Sequence, residues 1–500
     1  MIHNAPALII ILPLIAAPVN LILGLWRKKI CYPFAVAILG TCVLLSVDIL
    51  TTVVSHGTIT YKLGGWAPPW GIAYVIDHLN AFMLIIVSFI SLVVAIYSKK
   101  SIEKDMPDKV IHFYTLFILL VTGLLGILIT GDAFNLYVFL EVSSLAGYAL
   151  IAVGDKNAPL ASFNYVIMGT IGACFYLLGV GYLYIATGSL NMADLSELLP
   201  ALYNSRVVLG AFAFLMVGVS IKIAFFPLHK WLPDAYTSAP SAVSAFVAST
   251  MTKVGAYVMI RIMFTVFKPY FSIEILPASA ILGWLAVAAM LFGCIRAIGQ
   301  SDVKRMLSYI IIAEVGYIVM GVSVGNRMGF TGAVLHILND AFMMACLFLA
   351  VGAIEYKKGT RHVHNYSKLY KEMPFTMAAF AIGGLSIVGI PPTAGFFSKW
   401  YLVLGAIESQ QWVFAATLLI SSLLTAVIFF KILVRIYFGD PSESVSSNPG
   451  ILESSNPVFN EAPMSMLFPI CIMAIGVLTL GFFSGDIISN VIQFTVPGGF

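Results

Sequence analysis

Four basic residues, Lys222, Lys253, Arg261 and Lys399, and the acid Glu141 fall inside stretches otherwise built from apolar side chains. A lysine at the centre of a hydrocarbon layer costs about 2.5–3.5 kcal/mol even on the lenient insertion scale, so such residues face a bundle interior or water and mark a path for ions or protons. Glu141 ends the stretch Phe134-Asn135-Leu136-Tyr137-Val138-Phe139-Leu140-Glu141, far from either interface. A carboxylate there is protonated or paired, and Lys222, two spans away, is the partner the sequence offers. Such a pair is a switch as well as a contact: a buried ammonium that loses its partner can surrender its proton, which a guanidinium cannot. Lys253 sits among hydroxyls and a glycine in Ser249-Thr250-Met251-Thr252-Lys253-Val254-Gly255, a helix face that water can approach. His336 shares a helical turn with Asn339 and Asp340. A lone histidine is more often a core residue, but with Asp340 four residues later it forms a candidate proton relay. Glu314 is a further buried carboxylate with no local partner. His229 and Asp234 flank a proline-broken segment, where proton entry and plain helix-breaking structure stay equally open. Arg261 lies late in its apolar run and is expected to snorkel to the outer interface.

The elements holding these residues follow from composition. Of 500 residues, 60% are hydrophobic and 10% charged, at a mean hydropathy of +0.98, whereas soluble domains sit nearer 45–50% apolar and about 25% charged. Lipid is the solvent for most of the chain. Apolar runs long enough to span fall near 5–25, 30–50, 79–97, 110–129, 134–153, 162–187, 207–226, 241–267, 276–298, 306–324, 329–355, 376–407, 412–438 and 464–483. The first is read as a spanning helix and not a cleaved signal, because its basic residues Arg27, Lys28 and Lys29 follow it. Nineteen Lys and Arg residues fall in one set of alternate loops against four in the other, which places both termini outside by the positive-inside rule.

Two runs are broken by proline, at Phe226-Pro227-Leu228-His229-Lys230-Trp231-Leu232-Pro233 after Lys222 and at Gly389-Ile390-Pro391-Pro392-Thr393-Ala394-Gly395 before Lys399. Proline frees backbone carbonyls that lipid cannot satisfy, so breaks are tolerated only inside protein or beside a wet cavity. Matching interrupted helices also point to a transporter built of inverted repeats. The expected architecture is therefore an all-α membrane bundle of about 14 transmembrane helices with broken helices 7 and 12. It divides into an N-terminal three-helix segment (1–109), a first five-helix repeat (110–267), a second inserted in the opposite sense (276–438), and an inner loop with a last helix (439–500). Residues 440–463 read as a polar inner loop, and 192–203 as a short amphipathic interfacial helix on the outer side. The six cysteines lie singly in apolar runs with no C-x-x-C, and are expected to be buried small hydrophobes that hold no metal or cluster. No nucleotide fingerprint or nucleophile elbow is present. No cofactor is expected, and catalysis by this chain alone is not. A net charge of +4, distributed by membrane side, gives no reason to expect nucleic-acid binding.

The motifs Phe226-Pro227-Leu228-His229 with Trp231-Leu232-Pro233-Asp234-Ala235, Ser301-Asp302-Val303-Lys304-Arg305-Met306-Leu307-Ser308-Tyr309, and Gly389-Ile390-Pro391-Pro392 with Gly395-Phe396 together resemble the antiporter-like proton-translocating family over nearly the whole chain. That family includes the D and A subunits of Mrp-type antiporters, the large antiporter-like subunits of respiratory complex I, and counterparts in membrane-bound hydrogenases. The resemblance implies a glutamate on helix 5, lysines on helices 7 and 8, and a lysine or glutamate on helix 12, joined by internal water. The matching positions are Glu141, Lys222, Lys253 and Lys399. Lysine at 399 resembles the Mrp D type and the quinone-proximal complex I subunit more than members with glutamate there, while the stretches Gly64–Asp77 and Gly131–Glu141 and the length resemble the Mrp D type. Many relatives carry His-x-x-Asn-His-Ala and a later lysine on helix 11; here His336 and Asn339 are followed by Asp340, Ala341 and Met344, so an acid and a thioether replace a basic pair.

The expected function is that of a proton-translocating inner-membrane subunit of a multisubunit Na+ or K+/H+ antiporter, its partners being other membrane subunits. Protons would pass between Lys222, Lys253, His336 and Lys399. The alternative is a proton-pumping subunit of a respiratory NADH-quinone oxidoreductase or membrane-bound hydrogenase, driven by redox chemistry elsewhere. A third reading has the buried charges merely hold helices together.

Overall fold

A computed structural model describes residues 4–439 and 460–498; most of the expected inner loop, 440–459, lies outside them. The chain opens with α1 (Ala5–Trp26) and α2 (Cys31–His56). A short antiparallel hairpin follows, β1 (Ile59–Lys62) on β2 (Ala73–Ile76), with Ile59 opposite Ile76. Then come α3 (His78–Asp105), α4 (Val110–Ile129), α5 (Ala133–Ala152), α6 (Ala158–Thr187) and the short α7 (Met192–Leu198), within the stretch 192–203 expected to be helical. The first broken crossing is α8 (Arg206–Lys222) with α9 (Trp231–Ser238), followed by α10 (Ser241–Ile260), extended by a π-turn to Val266, and the single turn α11 (Lys268–Tyr270). Next are α12 (Ala278–Ile298), α13 (Val303–Ser323) and α14 (Arg327–Lys358). The second broken crossing is α15 (Pro374–Val388) with α16 (Ala394–Glu408). The chain continues through α17 (Trp412–Phe438), α18 (Met464–Phe482) and α19 (Ser484–Asn490).

Among the described residues twelve helices are long and apolar enough to cross a membrane. Runs 7 and 12 are not among them, because each is split where the prolines fall. Helix starts are fixed by side-chain caps: Asp77 forms a capping box with Asn80 at α3, Asp132 accepts from the Asn135 N–H at α5, Asp302 from Arg305 at α13, and Asn326 from Gly329 at α14. Each satisfies N–H groups that a helix end leaves orphaned.

Burial is uneven in a way that positions the site. α10, α13 and α14 are buried nearly throughout, while α1, α2, α6, α12, α17 and α18 turn a broad apolar side outward. The inner three are therefore the wall against which polar groups can meet away from lipid. Four of the six cysteines are buried as expected; Cys174 is instead exposed on the outward side of α6, and Cys471 is half-buried on α18, since both helices present that side to the surroundings of the chain.

Candidate functional site

Helix geometry puts the ionisable residues at one depth. At 1.5 Å per residue, Glu141 lies about 12 Å from the start of α5, Glu314 about 14 Å from the end of α13, His336 about 14 Å from the start of α14, and Lys399 about 14 Å from the end of α16. These four helix ends share one face of the bundle: Asn326 donates to Gly405 O and Ser409 Oγ, Phe264 packs on Phe330, Arg261 pairs with Asp77, and Tyr74 bridges to Thr130. Half the thickness of a hydrocarbon core is about 15 Å, so the residues share its midplane.

They meet there in pairs. Lys222 Nζ lies 3.2 Å from Glu141 Oε1 and donates to Ser144 Oγ at 2.7 Å. Ser144 is one turn beyond Glu141 on α5, so one helix face holds both acceptors. Lys253 Nζ is 2.6 Å from Asp340 Oδ2, both side chains being essentially inaccessible, and donates to Ala248 O at 2.7 Å. His336 uses both ring nitrogens: Nδ1 is 2.9 Å from Ser398 Oγ and Nε2 is 2.9 Å from Glu314 Oε2. Lys399 makes no ion pair among the described residues; its Nζ donates to Ile387 O at 2.5 Å and Ser422 Oγ at 3.2 Å and stands 4.6 Å above the ring of Tyr317. Tyr317 also meets His336 edge-on. The charge of Asp340 interacts with Lys253, Glu314 and His336, and that of Lys399 with Glu314 and Asp340, so the five form one electrostatic group.

The two breaks place the lysines. In the first, α8 stops at Lys222, Ala224 takes a positive φ of 53°, and the carbonyl of Ile221 is taken by Trp231 Nε1 at 3.1 Å. In the second, Gly389 has a φ of 90°. A Cβ there would come within 3.3 Å of Lys399 Cδ, so glycine serves both the turn and the lysine stem. Here Lys399 itself takes the orphaned Ile387 carbonyl, while Ser386 Oγ accepts from the Gly395 N–H and Asn339 Nδ2 donates to Ala394 O. Ile223, next to Lys222, packs on Gly255, two residues after Lys253, with only 2.3 Å between Ile223 Cγ2 and where a Cβ on Gly255 would lie.

The structure thus joins Glu141 to Lys222, as expected. It departs from the expected His336–Asp340 relay along one helix: Asp340 turns to Lys253 on α10, and His336 to Glu314 on α13. In low dielectric a full opposite charge on a neighbouring helix is a stronger partner than an imidazole on the same one. Asp234 lies apart, half-exposed and 3.0 Å from Arg305. His229 is buried between Phe226 and Phe292, with its Nδ1 unpartnered, and touches none of the pairs. Arg261, expected to snorkel to an interface, lies just after α10 and is held there by Asp77 at 2.5 Å and Tyr257 Oη at 3.0 Å.

Several contributors are not evident from sequence. Ser144, Ser398 and Tyr317 lie next to or one turn from a charged residue, a spacing that could have flagged them. Lys304, which by position belongs to a loop, is buried in the first turn of α13. It donates to Ala239 O at 2.8 Å and lies 3.6 Å from Glu355, which also accepts from Ser241 Oγ at 2.7 Å. Arg361 ties this cluster to Asp155 and Asp302.

Comparison with known proteins shows the family. Residues 130–425, which include Glu141, Lys222, Lys253, Glu314, His336, Asp340 and Lys399, match the family model described as NADH:quinone oxidoreductase/Mrp antiporter, TM. The chain is 46% identical over 502 residues, 99% of both sequences, to a protein of Desulforudis audaxviator named as the N subunit of NADH-quinone oxidoreductase. It is 34% identical over 400 residues to the D subunit of the Na(+)/H(+) antiporter of Alkalihalophilus pseudofirmus, covering 79% of this chain and 80% of the relative. A chain in the structure of the Mrp complex from Dietzia sp. DQ12-45-1b superposes with a TM-score of 0.87 at 26% identity, covering 98% of this chain and 96% of that one. The protein is an integral multi-pass membrane protein, and the chain belongs to the NADH:quinone oxidoreductase/Mrp antiporter transmembrane family.

Proposed function

We propose that this chain is the proton-translocating subunit of a multisubunit Na+ or K+/H+ antiporter in the bacterial inner membrane, with both termini outside. It carries H+ through Glu141, Lys222, Lys253, His336 and Lys399, with Glu314 and Asp340 as the carboxylates that balance them. The observation that carries the reading is the midplane series itself: three lysines, three carboxylates and a histidine, contributed by six helices, at the depth where charge is most costly. With His336 neutral the formal charges cancel, so the series can stay in lipid while any one pair trades its proton.

On this reading, separating Glu141 from Lys222 releases the Lys222 proton past the Ile223–Gly255 contact toward Lys253, once water enters there. Lys253 passes it to Asp340, and His336, between Glu314 and Ser398, carries it toward Lys399. Helices α4–α10 and α12–α17 are the two repeats; the odd number of crossings in each and the break in the fourth crossing of each support opposite insertion. Partner subunits are supported by the likeness to a chain of the Mrp complex, and by Glu141, which keeps 25% of its side chain exposed on the isolated chain at lipid depth, where a neighbour would cover it. His229 and Asp234 are assigned no step.

A second reading, a proton-pumping subunit of a redox-driven complex, is favoured by the 46% relative, whose name is that of a quinone oxidoreductase subunit. Dye-monitored proton movement on adding Na+ or K+, in antiporter-deficient vesicles carrying the chain with its operon partners, tests the first. The expected result is cation-driven H+ flux that Glu141→Ala and Lys222→Ala abolish. Flux surviving both rejects the path, and H+ movement that answers only to an electron donor assigns the second reading.

A further inference from the structure

Lys253, Tyr257 and Arg261 stand four residues apart along α10 and its π-turn, so they form one stripe on a single helix face. Lys253 belongs to the midplane series, and each of the other two lies about 6 Å further toward the end of the helix. Tyr257 is buried; its hydroxyl donates to Leu128 O at 2.9 Å and accepts from Arg261 Nε–H at 3.0 Å. Arg261 also donates to Thr265 Oγ1 at 3.3 Å and to Asp77 Oδ1 at 2.5 Å. Asp77 accepts from the N–H groups of Leu79 and Asn80, while Asn80 Nδ2 donates to the same Leu128 carbonyl at 3.0 Å. Polar contacts from α3, α4 and α10 thus close into one ring at the end of the stripe, where the regular winding of α10 gives way to the π-turn, a distortion frequent at functional sites. Beyond the ring is a cavity of about 410 Å³ whose lining includes Asp77, Arg261, Ser196, Thr265 and Lys268. A space of that size with such a lining holds water.

We propose that the Tyr257 hydroxyl is the step between Lys253 and the water of this cavity, and that the Arg261–Asp77 pair is the gate across it. The inference rests on the transport reading above and adds to it an exchange of protons with the side on which α10 ends. With the gate shut, the guanidinium holds the hydroxyl oxygen as its acceptor. It cannot relay a proton, because it does not give one up, and its fixed positive charge repels an approaching one. When Arg261 leaves Tyr257 and stays with Asp77 at the cavity, the freed oxygen accepts a proton from the Lys253 ammonium, directly or across one water, and passes its own hydrogen to cavity water. Lys253 is left as the amine, the tyrosine is unchanged and one hydronium is formed; the reverse sequence reloads Lys253. If the ring only tied three helices together, breaking it would alter stability without opening a proton leak that depends on Lys253.

The test follows passive H+ entry after an acid pulse, by pH-sensitive dye, in antiporter-deficient vesicles carrying the chain with its operon partners, with Na+ and K+ replaced by choline. Arg261→Gln removes the fixed charge and is expected to raise the leak about tenfold, the scale set by a unit charge about 6 Å from the path and partly offset by Asp77. Arg261→Gln/Tyr257→Phe and Arg261→Gln/Lys253→Met should both return the leak to the wild-type level. An unchanged leak in Arg261→Gln, or a leak that survives either second substitution, overturns the proposal. Tyr257→Phe alone decides where Arg261→Gln fails to accumulate: cation-driven flux should fall about tenfold or more, and unchanged flux overturns the step. The gate and the transport reading fail separately. Wild-type cation-driven flux that Glu141→Ala abolishes, beside an unchanged leak in Arg261→Gln, removes the gate alone, whereas a Lys253-dependent leak in Arg261→Gln with no cation-driven flux in the wild type supports the gate and removes the antiport.

Discussion

The Lys253–Asp340 pair allows the proposed path to be separated from the purely structural reading. Both side chains are buried to 1% or less and 2.6 Å apart, and Lys253 has one further acceptor, Ala248 O. Removing one member of such a pair strands the other, at a cost of about 3–5 kcal/mol, whereas replacing both by apolar groups of similar volume is often neutral or stabilising. Asp340→Asn is therefore expected to lower unfolding free energy by roughly 3–5 kcal/mol, less whatever the stranded lysine recovers by giving up its proton. Lys253→Met should cost less, because a lone buried carboxyl can protonate and stay neutral. Lys253→Met/Asp340→Leu should return to within about 1 kcal/mol of the wild type, a coupling measurable by a double-mutant cycle. The decisive assay pairs denaturant unfolding in micelles with H+ flux in proteoliposomes or operon-bearing vesicles. If the charges only hold helices together, the stable double variant transports; if they carry protons, it is as stable as the wild type and inactive. A double variant with normal flux refutes the path, and an Asp340→Asn protein within about 1 kcal/mol of the wild type refutes the buried ion pair.

Other perturbations test the supports of the site. Trp231→Phe removes the indole donor to Ile221 O, which keeps the Ala224 N–H, and is expected to cost about 0.5–1.5 kcal/mol and to reduce flux by loosening the end of α8 at Lys222; unchanged unfolding and flux would show that the bond does not position the lysine. Gly389→Ala forces a Cβ into a left-handed turn, a strain of about 1–2 kcal/mol, and toward Lys399 Cδ, so flux should fall more than stability does; vesicle flux beside a melting curve decides. Asp77 lies outside the spans. Burial opposes ionisation of its carboxyl, but the Arg261 guanidinium and the N–H groups of Asn80 and Leu79 outweigh it, holding it below the usual carboxylate range. A depressed value in the folded state contributes stability that is present above the ordinary carboxylate pKa and is lost as pH falls through the folded value. Melting temperature should therefore drop between about pH 4 and lower pH in the wild type, and the drop should be smaller in Asp77→Asn.

How far the site can be read in advance depends on whether the information is local. Run lengths, proline positions and loop charge are local, so α8/α9 and α15/α16 break where Pro227 and Pro391-Pro392 predict, and α7 forms within the stretch 192–203 expected to be helical. The cost of charge in hydrocarbon is also local, and it singles out Glu141, Lys222, Lys253 and Lys399 before any coordinates. Pairing is not local. Glu314 finds His336 because α13 and α14 pack side by side, and nothing within either helix reports that. Lys304 escapes notice for the same reason: by position it belongs to a basic loop, but the chain returns through Glu355 and Arg361 to bury it. Arg261 is expected to reach water by its length alone, whereas the Asp77 that receives it lies 184 residues earlier.

Asp340 illustrates what the departures from the family pattern mean physically. Where many relatives resemble one another in placing a second basic residue, this chain has an acid, and the acid lands on Lys253 and not in open space. A basic residue there would face Lys253 at close range in a low-dielectric interior, a like-charge contact that one of the two must relieve by staying neutral. With aspartate the local charge is already balanced. On the proposed path the proton leaving Lys253 neutralises Asp340, which hands it on toward His336 while Lys253 is reprotonated from the side of Lys222, so charge does not accumulate along the row. That makes a reversal test available. Asp340→His recreates the relatives' residue and should displace the Lys253 partner, leaving a stable protein only if one of the two bases is neutral. Flux measured against pH should then keep its maximum rate but shift its pH dependence, whereas a row that is merely structural would lose stability with no change in the profile of whatever flux remains.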